Sequence, residues 1–393
     1  PDIIFFWVAR MIISGIEFLD EIPFKDVYFT SILRDSTGRK LSKSLGNSPD
    51  PIELFEKYGT DATRFSIMLM SPQGSDVYFS ENGLEIGRNF MNKIWNASRF
   101  IMINHDESFS DTLDKDSLDI YDKWILAKLD TTLEKVDVHY GNYQFNEAIK
   151  VIYDFTWNEF CNWYIEIAKI KFNSSNKTEK NNAFLVSKEV LKKVLLILHP
   201  IAPFITEEIW SYLKNETDED IIISSWPTLR TQGLQYDNDK VVSMKEVVVA
   251  IRTIRSELNV PPTKKINASI AIKNAEDASL FHSLKSMIMD LTNLEELKIE
   301  INLEKPEQSA VGICKNCVVY IPLGDLVDSK EEILKLNKRL KDIEGFIDGI
   351  KTKLKNKAFT DKAPEKIVNH EKSKLDDFII EREKIIANIE MLK

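Results

Sequence analysis

Ile333, Leu336, Leu340, Ile343, Ile347, Ile350 and Leu354 are spaced three, four, three, four, three and four residues apart. A helix whose apolar side chains recur every 3.5 residues carries one narrow seam, and it buries that seam against another helix. A polar turn with Pro364 follows, and Leu375, Phe378, Ile385, Ile389 and Leu392 offer a return seam broken by Arg382. Residues 326–393 therefore read as an antiparallel coiled-coil hairpin. The segment contains no Trp, so it is a slender arm rather than a globule. It carries 16 Lys+Arg against 14 Asp+Glu in a chain whose net charge is −10. A relatively basic arm on an acidic body points to a polyanionic partner; a packing or dimerisation element fits the same pattern.

The 393 residues are enough for several domains, and 43% hydrophobic residues give material for real cores. Residues 1–70 mix apolar runs such as V-Y-F-T-S-I-L and F-S-I-M-L-M with short helical patterns, as at the end of an α/β unit. Residues 27–33 read as a strand. The opening run D-I-I-F-F-W-V-A-R-M-I-I reads as a buried strand or helix. Arg10 interrupts it and it is too short to span a bilayer, so no membrane segment is expected. A chain starting on that run without Met looks cut from a longer one.

From about 115 to 235 the period is helical. Phe145, Ile149, Ile152, Trp157, Phe160, Tyr164 and Ala168 keep one face apolar, and Val190, Val194 and Leu198 mark another helix that stops near Pro200 and Pro203. This reads as a helical bundle. Next, a helix through Met244, Val248, Ile251, Ile254 and Leu258 leads into P-P, then into the β-like runs I-N-A-S-I-A-I and C-V-V-Y-I-P. That is a small α/β module.

Three cysteines, Cys161, Cys314 and Cys317, fit a reducing cytosol better than a disulfide framework. Cys314 and Cys317 form one C-x-x-C. Zinc ordinarily takes four ligands, and neither a second pair nor a nearby His is present, so no metal site is expected.

The stretch G-R-K-L-S-K-S-L-G-N, residues 38–47, places Lys40 and Lys43 beside Ser42 and Ser44 between two glycines. It does not fit the P-loop pattern, because Ser42 stands where the second Gly should be. Ammonium groups, hydroxyls and close backbone suit a polyphosphate. Taken by themselves, the residues suit a solvated surface loop as well. The loop follows the expected strand 27–33, where ligands collect in open α/β sheets.

With these features in place the chain resembles a family. K-L-S-K-S is similar to the K-M-S-K-S signature of class I aminoacyl-tRNA synthetases, with Leu41 for Met. L-G-N-S-P-D-P, Y-G-T-D-A-T-R-F, R-N-F-M-N-K-I-W-N, F-C-N-W-Y-I-E, L-H-P-I-A-P-F-I-T-E-E-I-W and W-P then follow in order. That order, the opening run and the tail N-K-A-F-T-D-K-A-P-E-K-I-V resemble the valyl branch over essentially the whole chain. The resemblance implies a multidomain, mainly α architecture. Residues 1–75 would be the C-terminal part of a Rossmann-like α/β catalytic domain, 76–115 a connecting helical segment and 116–235 a helical anticodon-binding domain. Residues 236–325 would be a small α/β junction module, and 326–393 a coiled-coil tRNA-binding arm.

It also implies roles. Lys43 would contact ATP, with Lys40, Ser42 and Ser44 holding the loop and phosphates and Mg2+ as the counter-ion. Ile3 and Trp7 would line a valine pocket. Arg88, Asn89 and Lys93 would touch tRNA(Val). A cytoplasmic monomer is the expected state. Two features depart from the family pattern. H-I-G-H is absent, the only near match being H-Y-G-N at 139–142 on the wrong side of K-L-S-K-S, and Thr63 stands where Leu or Val is usual. The chain therefore looks like the C-terminal portion of a valyl enzyme, without the H-I-G-H half and editing domain and inactive alone. A stand-alone tRNA-binding module, or an isoleucyl- or leucyl-type fragment, are the alternatives.

Overall fold

The structure, a computed structural model, describes residues 3–110, 112–215, 218–228, 236–324 and 329–355, with 373–375, 377–379, 381–383, 385 and 386 beyond them. The chain is mainly helical with two small sheets among these residues, and it divides into two compact units, Pro1–Tyr236 and Asp237–Lys393.

In the first unit a π-helical turn, Ile4–Val8, runs into α1, Ala9–Leu19. The opening run is thus helical, but it is not buried. Phe5, Phe6, Trp7 and Ile13 are exposed, and Gly15 alone is buried, under the chain that doubles back at Glu21–Pro23. The strand expected at 27–33 shrinks to β1, Leu33–Arg34, paired in parallel with β2, Val77–Tyr78. Of the expected strand only Leu33 joins the ladder, with the Ile32 carbonyl accepting the Val77 N–H at 2.9 Å, and an extended segment without a neighbour has no ladder to join.

Helices α2, Pro51–Tyr58, and α3, Thr60–Leu69, lie between the two strands, and α4, Leu84–Ile103, follows. Asp50 caps α2 through the Ile52 N–H with Pro51 in the first turn. Helices α3 and α4 cross closely at Gly87, where an added Cβ would lie 2.2 Å from the Ala62 carbonyl oxygen.

The bundle continues with α5, Ile120–Gly141. The helix α6, Phe145–Asp154, passes through a π-helical stretch, Phe155–Tyr164, into α7, Ile165–Phe172. Then come α8, Lys177–Leu198, and α9, Pro203–Leu213. Of the expected stripe, Ile149, Ile152, Phe160, Tyr164 and Ala168 are buried and Phe145 and Trp157 half-buried; Val190, Val194 and Leu198 are buried too. Lys171 is buried with them. Its Nζ lies 2.6 Å from Asp122 and 2.7 Å from Asp119, while Tyr164 donates to Asp122 at 2.6 Å.

In the second unit α10, Asn238–Glu257, buries Met244, Val248, Ile251 and Ile254, and Leu258 just past its end is buried as well. Strands β3, Ile266–Ile272, β4, Leu294–Ile301, β5, Ser309–Ile313, and β6, Cys317–Pro322, form a sheet in the order β4-β3-β6-β5. β3 and β4 are parallel, joined by α11, Ala275–Thr292, and the remaining pairs are antiparallel. Alternate residues Ile266, Ala268, Ile270 and Ile272 are buried on one face, and α10 and α11 pack on the sheet.

The arm helix is α12, Ser329–Lys355. Ile343 and Ile347 are buried with Ile385, and Leu340, Leu375, Phe378 and Ile379 close the cluster. Arg339 pairs with Glu381 at 2.9 Å and Phe346 stacks on Phe378 at 5.5 Å, so the two segments run antiparallel. The side chains of Ile333 and Leu336 lie outside the described residues, as do Pro364, Ile389, Leu392 and the 356–368 motif.

Candidate functional site

The K-L-S-K-S loop begins where β1 ends. Leu41 N–H donates to the Leu33 carbonyl and Asp35 N–H to that of Arg39, so the chain turns back on β1 through D-S-T-G, with Gly38 at φ +86°. The Asp35 carboxylate is the hub. One oxygen accepts from the Thr37 N–H and hydroxyl and from the Arg39 N–H, and the other from Arg39 Nε and Asn47 Nδ2, at 2.7–3.0 Å. Hydrogen bonds from Asn47 and Thr37, then Arg39, hold this carboxyl well below the usual carboxylate range.

Asn47 ties the far end of the loop to the same hub. Its oxygen accepts the Ser42 N–H at 2.9 Å and its amide donates to the Lys40 carbonyl at 3.2 Å. Ser42 and Ser44 share a hydrogen bond of 2.7 Å, and Lys43–Leu45 form a 3-10 turn closed by Gly46 at φ +63°. Arg34 braces the base through Asp76 at 2.5 Å and the Gly38 carbonyl at 3.0 Å.

The result is a fixed frame that leaves its cations free. Lys40 and Lys43 are exposed, and neither ammonium has a carboxylate partner among the described residues. Such an arrangement can receive an anion without first breaking an ion pair. Asp35 and Asn47, which position the loop, were missed by the sequence reading. The signal was present as an Asp three residues before a turn Gly and an Asn directly after the second Gly.

The other sequence-derived residues are placed differently. Ile3 and Trp7 lie four residues apart on the opening helix, 54% and 60% exposed. On α4, Asn89 is exposed, and Arg88 lies 3.6 Å from Glu85 and over the Tyr58 ring. Lys93 donates to Asn162 at 3.0 Å and sits 5.3 Å from the centre of the Trp157 ring, so its ammonium is held within the bundle.

The structure also joins two motifs far apart in sequence. Asp61 accepts from the Phe204 and Ile205 N–H groups at the start of α9, at 3.4 and 2.6 Å. Arg64, one turn on, donates to the Ile201 and Pro200 carbonyls just past the end of α8. A carboxylate thus meets the unpaired donors of one helix start, and a guanidinium the unpaired acceptors past another helix end. Y-G-T-D-A-T-R-F and L-H-P-I-A-P-F are two halves of one clasp. R-N-F-M-N-K-I-W-N and F-C-N-W-Y are joined likewise, through Lys93 and Asn162.

Comparison with known proteins matches three stretches of the chain. Residues 1–80 match the family described as tRNA synthetases class I (I, L, M and V), 122–272 the anticodon-binding domain of tRNA ligase, and 328–393 the valyl tRNA synthetase tRNA binding arm. The chain is 40% identical to a valine–tRNA ligase of Fusobacterium nucleatum, over 94% of its own length and 42% of that protein. It is 39% identical to that of Listeria innocua, over 100% and 45%, and 37% to that of Bacillus subtilis, over 100% and 45%. The chain thus spans less than half the length of the curated relatives it matches. Among solved structures, a leucyl-tRNA synthetase complex from Agrobacterium radiobacter K84 superposes with a TM-score of 0.46 at 17% identity, covering 74% of this chain and 35% of that one. A class I segment, an anticodon-binding match and a valyl-type arm succeed one another along a sequence nearly 40% identical to valine–tRNA ligases: the chain belongs to the valyl-tRNA synthetase family.

Proposed function

We propose that this chain is the tRNA-handling and ATP-loop portion of a valine–tRNA ligase, which joins valine to tRNA(Val) through valyl-adenylate. The observation that carries the reading is the pair of ammonium groups, Lys40 and Lys43, unpartnered among the described residues, on a loop fixed by Asp35 and Asn47, in a chain that also matches a valyl tRNA-binding arm. In activation, a valine carboxylate oxygen attacks the α-phosphorus of ATP. The new C–O–P linkage forms as the bond to the β-phosphate oxygen breaks, and pyrophosphate leaves with the charge. Lys43 would neutralise that developing charge, with Lys40, Ser42 and Ser44 orienting the phosphates. Mg2+ would accompany the phosphates as their counter-ion.

The division of labour follows the ranges given above. Residues 1–75 supply the ATP loop, and Ile3 and Trp7 one wall of the valine pocket. Residues 76–115 connect, presenting Arg88 and Asn89 to tRNA, and Lys93 too if it leaves Asn162. Residues 116–235 take the anticodon, 236–325 form the junction, and 326–393 reach the tRNA body. The working state is a cytoplasmic monomer.

The test is binding of this chain to valine tRNA and to a non-cognate tRNA by fluorescence anisotropy across a salt series. Tighter binding of valine tRNA is expected, with log affinity falling linearly in log salt by about 0.7–0.9 per phosphate contact. Equal binding of both tRNAs, or none by a folded chain, overturns the tRNA assignment. Valine-dependent ATP–pyrophosphate exchange is expected to be absent from this chain alone, and its presence would overturn the reading of the ATP site as incomplete.

A further inference from the structure

The C-x-x-C has no part in the function proposed above. We propose that Cys314 and Cys317 are a thiol-modification site: a dithiol at the tip of the β5–β6 hairpin that closes reversibly to a disulfide by exchange with low-molecular-weight disulfides.

The hairpin sets the geometry. Ile313 opposes Val318 in the antiparallel ladder, so the next step outward brings Cys314 opposite Cys317, and the Cys314 N–H donates to the Cys317 carbonyl at 3.0 Å. Opposed residues in such a ladder have Cβ atoms about 4.5–5.5 Å apart, just outside the roughly 3.5–4.5 Å that a disulfide spans. The two thiols interact across the tip of the hairpin. Only Lys315 and Asn316 intervene, so closing the bond needs adjustment at the tip and no movement of the sheet.

The two sulfurs differ as attacking and resolving thiols must. Cys314 is half-buried beside the exposed edge-strand residue Ile313, whereas Cys317 is buried among the inward positions of β6. The hydrogen bond between them lowers the Cys314 thiol from its ordinary value and raises Cys317. Glu246 on α10, which accepts the Lys315 N–H at 3.1 Å, opposes the thiolate, and Asp277 on α11 raises Cys317 further. A metal is the poorer occupant. No group of three potential ligands exists among the described residues, and two thiols leave zinc half-coordinated.

The chemistry balances as thiol–disulfide exchange. The Cys314 thiolate attacks one sulfur of oxidised glutathione, forming a mixed disulfide and releasing one glutathione thiolate. Cys317 gives its proton to solvent and attacks the Cys314 sulfur, forming the intrachain bond and releasing the second. Two protein thiols are oxidised and one glutathione disulfide is reduced to two thiols.

The test equilibrates the full chain in glutathione buffers of rising oxidised fraction, quenches with acid, alkylates and maps peptides by mass. The expected result is joint loss of the two thiols, with the peptide carrying Cys314 and Cys317 lighter by two hydrogens. Cys161, buried and pushed up to about 12 by burial, is expected to remain alkylated throughout. Cys317→Ser should stop at a glutathione adduct on Cys314, and Cys314→Ser should stay unmodified, each with unchanged far-UV circular dichroism. Wild-type chain that keeps both thiols in fully oxidised glutathione, or that stops at a stable adduct on Cys314, would overturn the proposal whatever the variants do.

Discussion

Asp35 has no apolar burial to contribute, yet it organises the loop that carries Lys40 and Lys43, because a carboxylate accepts several donors at once. Asp35→Asn is expected to lose the Arg39 ion pair and part of the turn. Amide exchange at Thr37 and Arg39 should quicken on the order of tenfold, the scale of one lost hydrogen bond to a charged group. The pH dependence has a definite sign. A carboxyl held below its unfolded value favours the folded loop at any pH above that unfolded value, and the benefit is lost as pH falls through the folded value. The loop should therefore keep its exchange protection through pH 4 and loosen only in stronger acid, as amide exchange across a pH series would report. The sequence displayed the turn chemistry of D-S-T-G and G-N. It did not show that Asp35 and Asn47 hold each other, because that pairing closes only when the chain turns back on β1.

At the scale of elements, Gly87 and Lys171 mark where helices meet. Gly87→Ala would drive a methyl into the Ala62 carbonyl and the Ser66 hydroxyl, which itself accepts the Gly87 N–H at 3.0 Å. A destabilisation of about 1–3 kcal/mol is expected in urea unfolding, despite the higher helix propensity of Ala. Lys171→Met removes the cation that faces Asp122 and Asp119 across the bundle, and it should cost about 3–5 kcal/mol because a buried carboxylate is left without its partner. The paired change Lys171→Met with Asp122→Leu should recover part of that loss, and the same denaturant measurement decides it. The apolar stripe of this helix was legible, but the π-helical widening was not read from it. Ile152 and Trp157 are five apart, and the helix widens into its π-helical stretch there, which accommodates the extra residue.

For the whole molecule, the chain divides into two compact units, one mainly of helices and one carrying helices on a four-stranded sheet. Calorimetry of the full chain is expected to show two transitions. Gly87→Ala should lower one of them by several degrees and leave the other in place. A single transition shifted as a unit would refute independent unfolding of the two units. At this scale the order of segments was legible in the amino-acid sequence. Coiled-coil spacing, helical stripe, β-like runs and signature motifs each reside in local sequence, and each recurs in the described residues or in the family matches.

Sequence by itself determined the helical stripes, the β-like runs and the family. Period and motif order are properties of neighbours along the chain, and they survive whatever the chain then packs against. Only the tertiary structure decided which residues meet. It joined Asp61 and Arg64 to the α8–α9 corner, more than 130 residues away, set Cys314 against Cys317, and left Ile3 and Trp7 on an exposed helix where the apolar run read as buried. Helix ends and buried charges need a partner but do not specify one, and hydrophobicity states a preference for burial without saying what covers it.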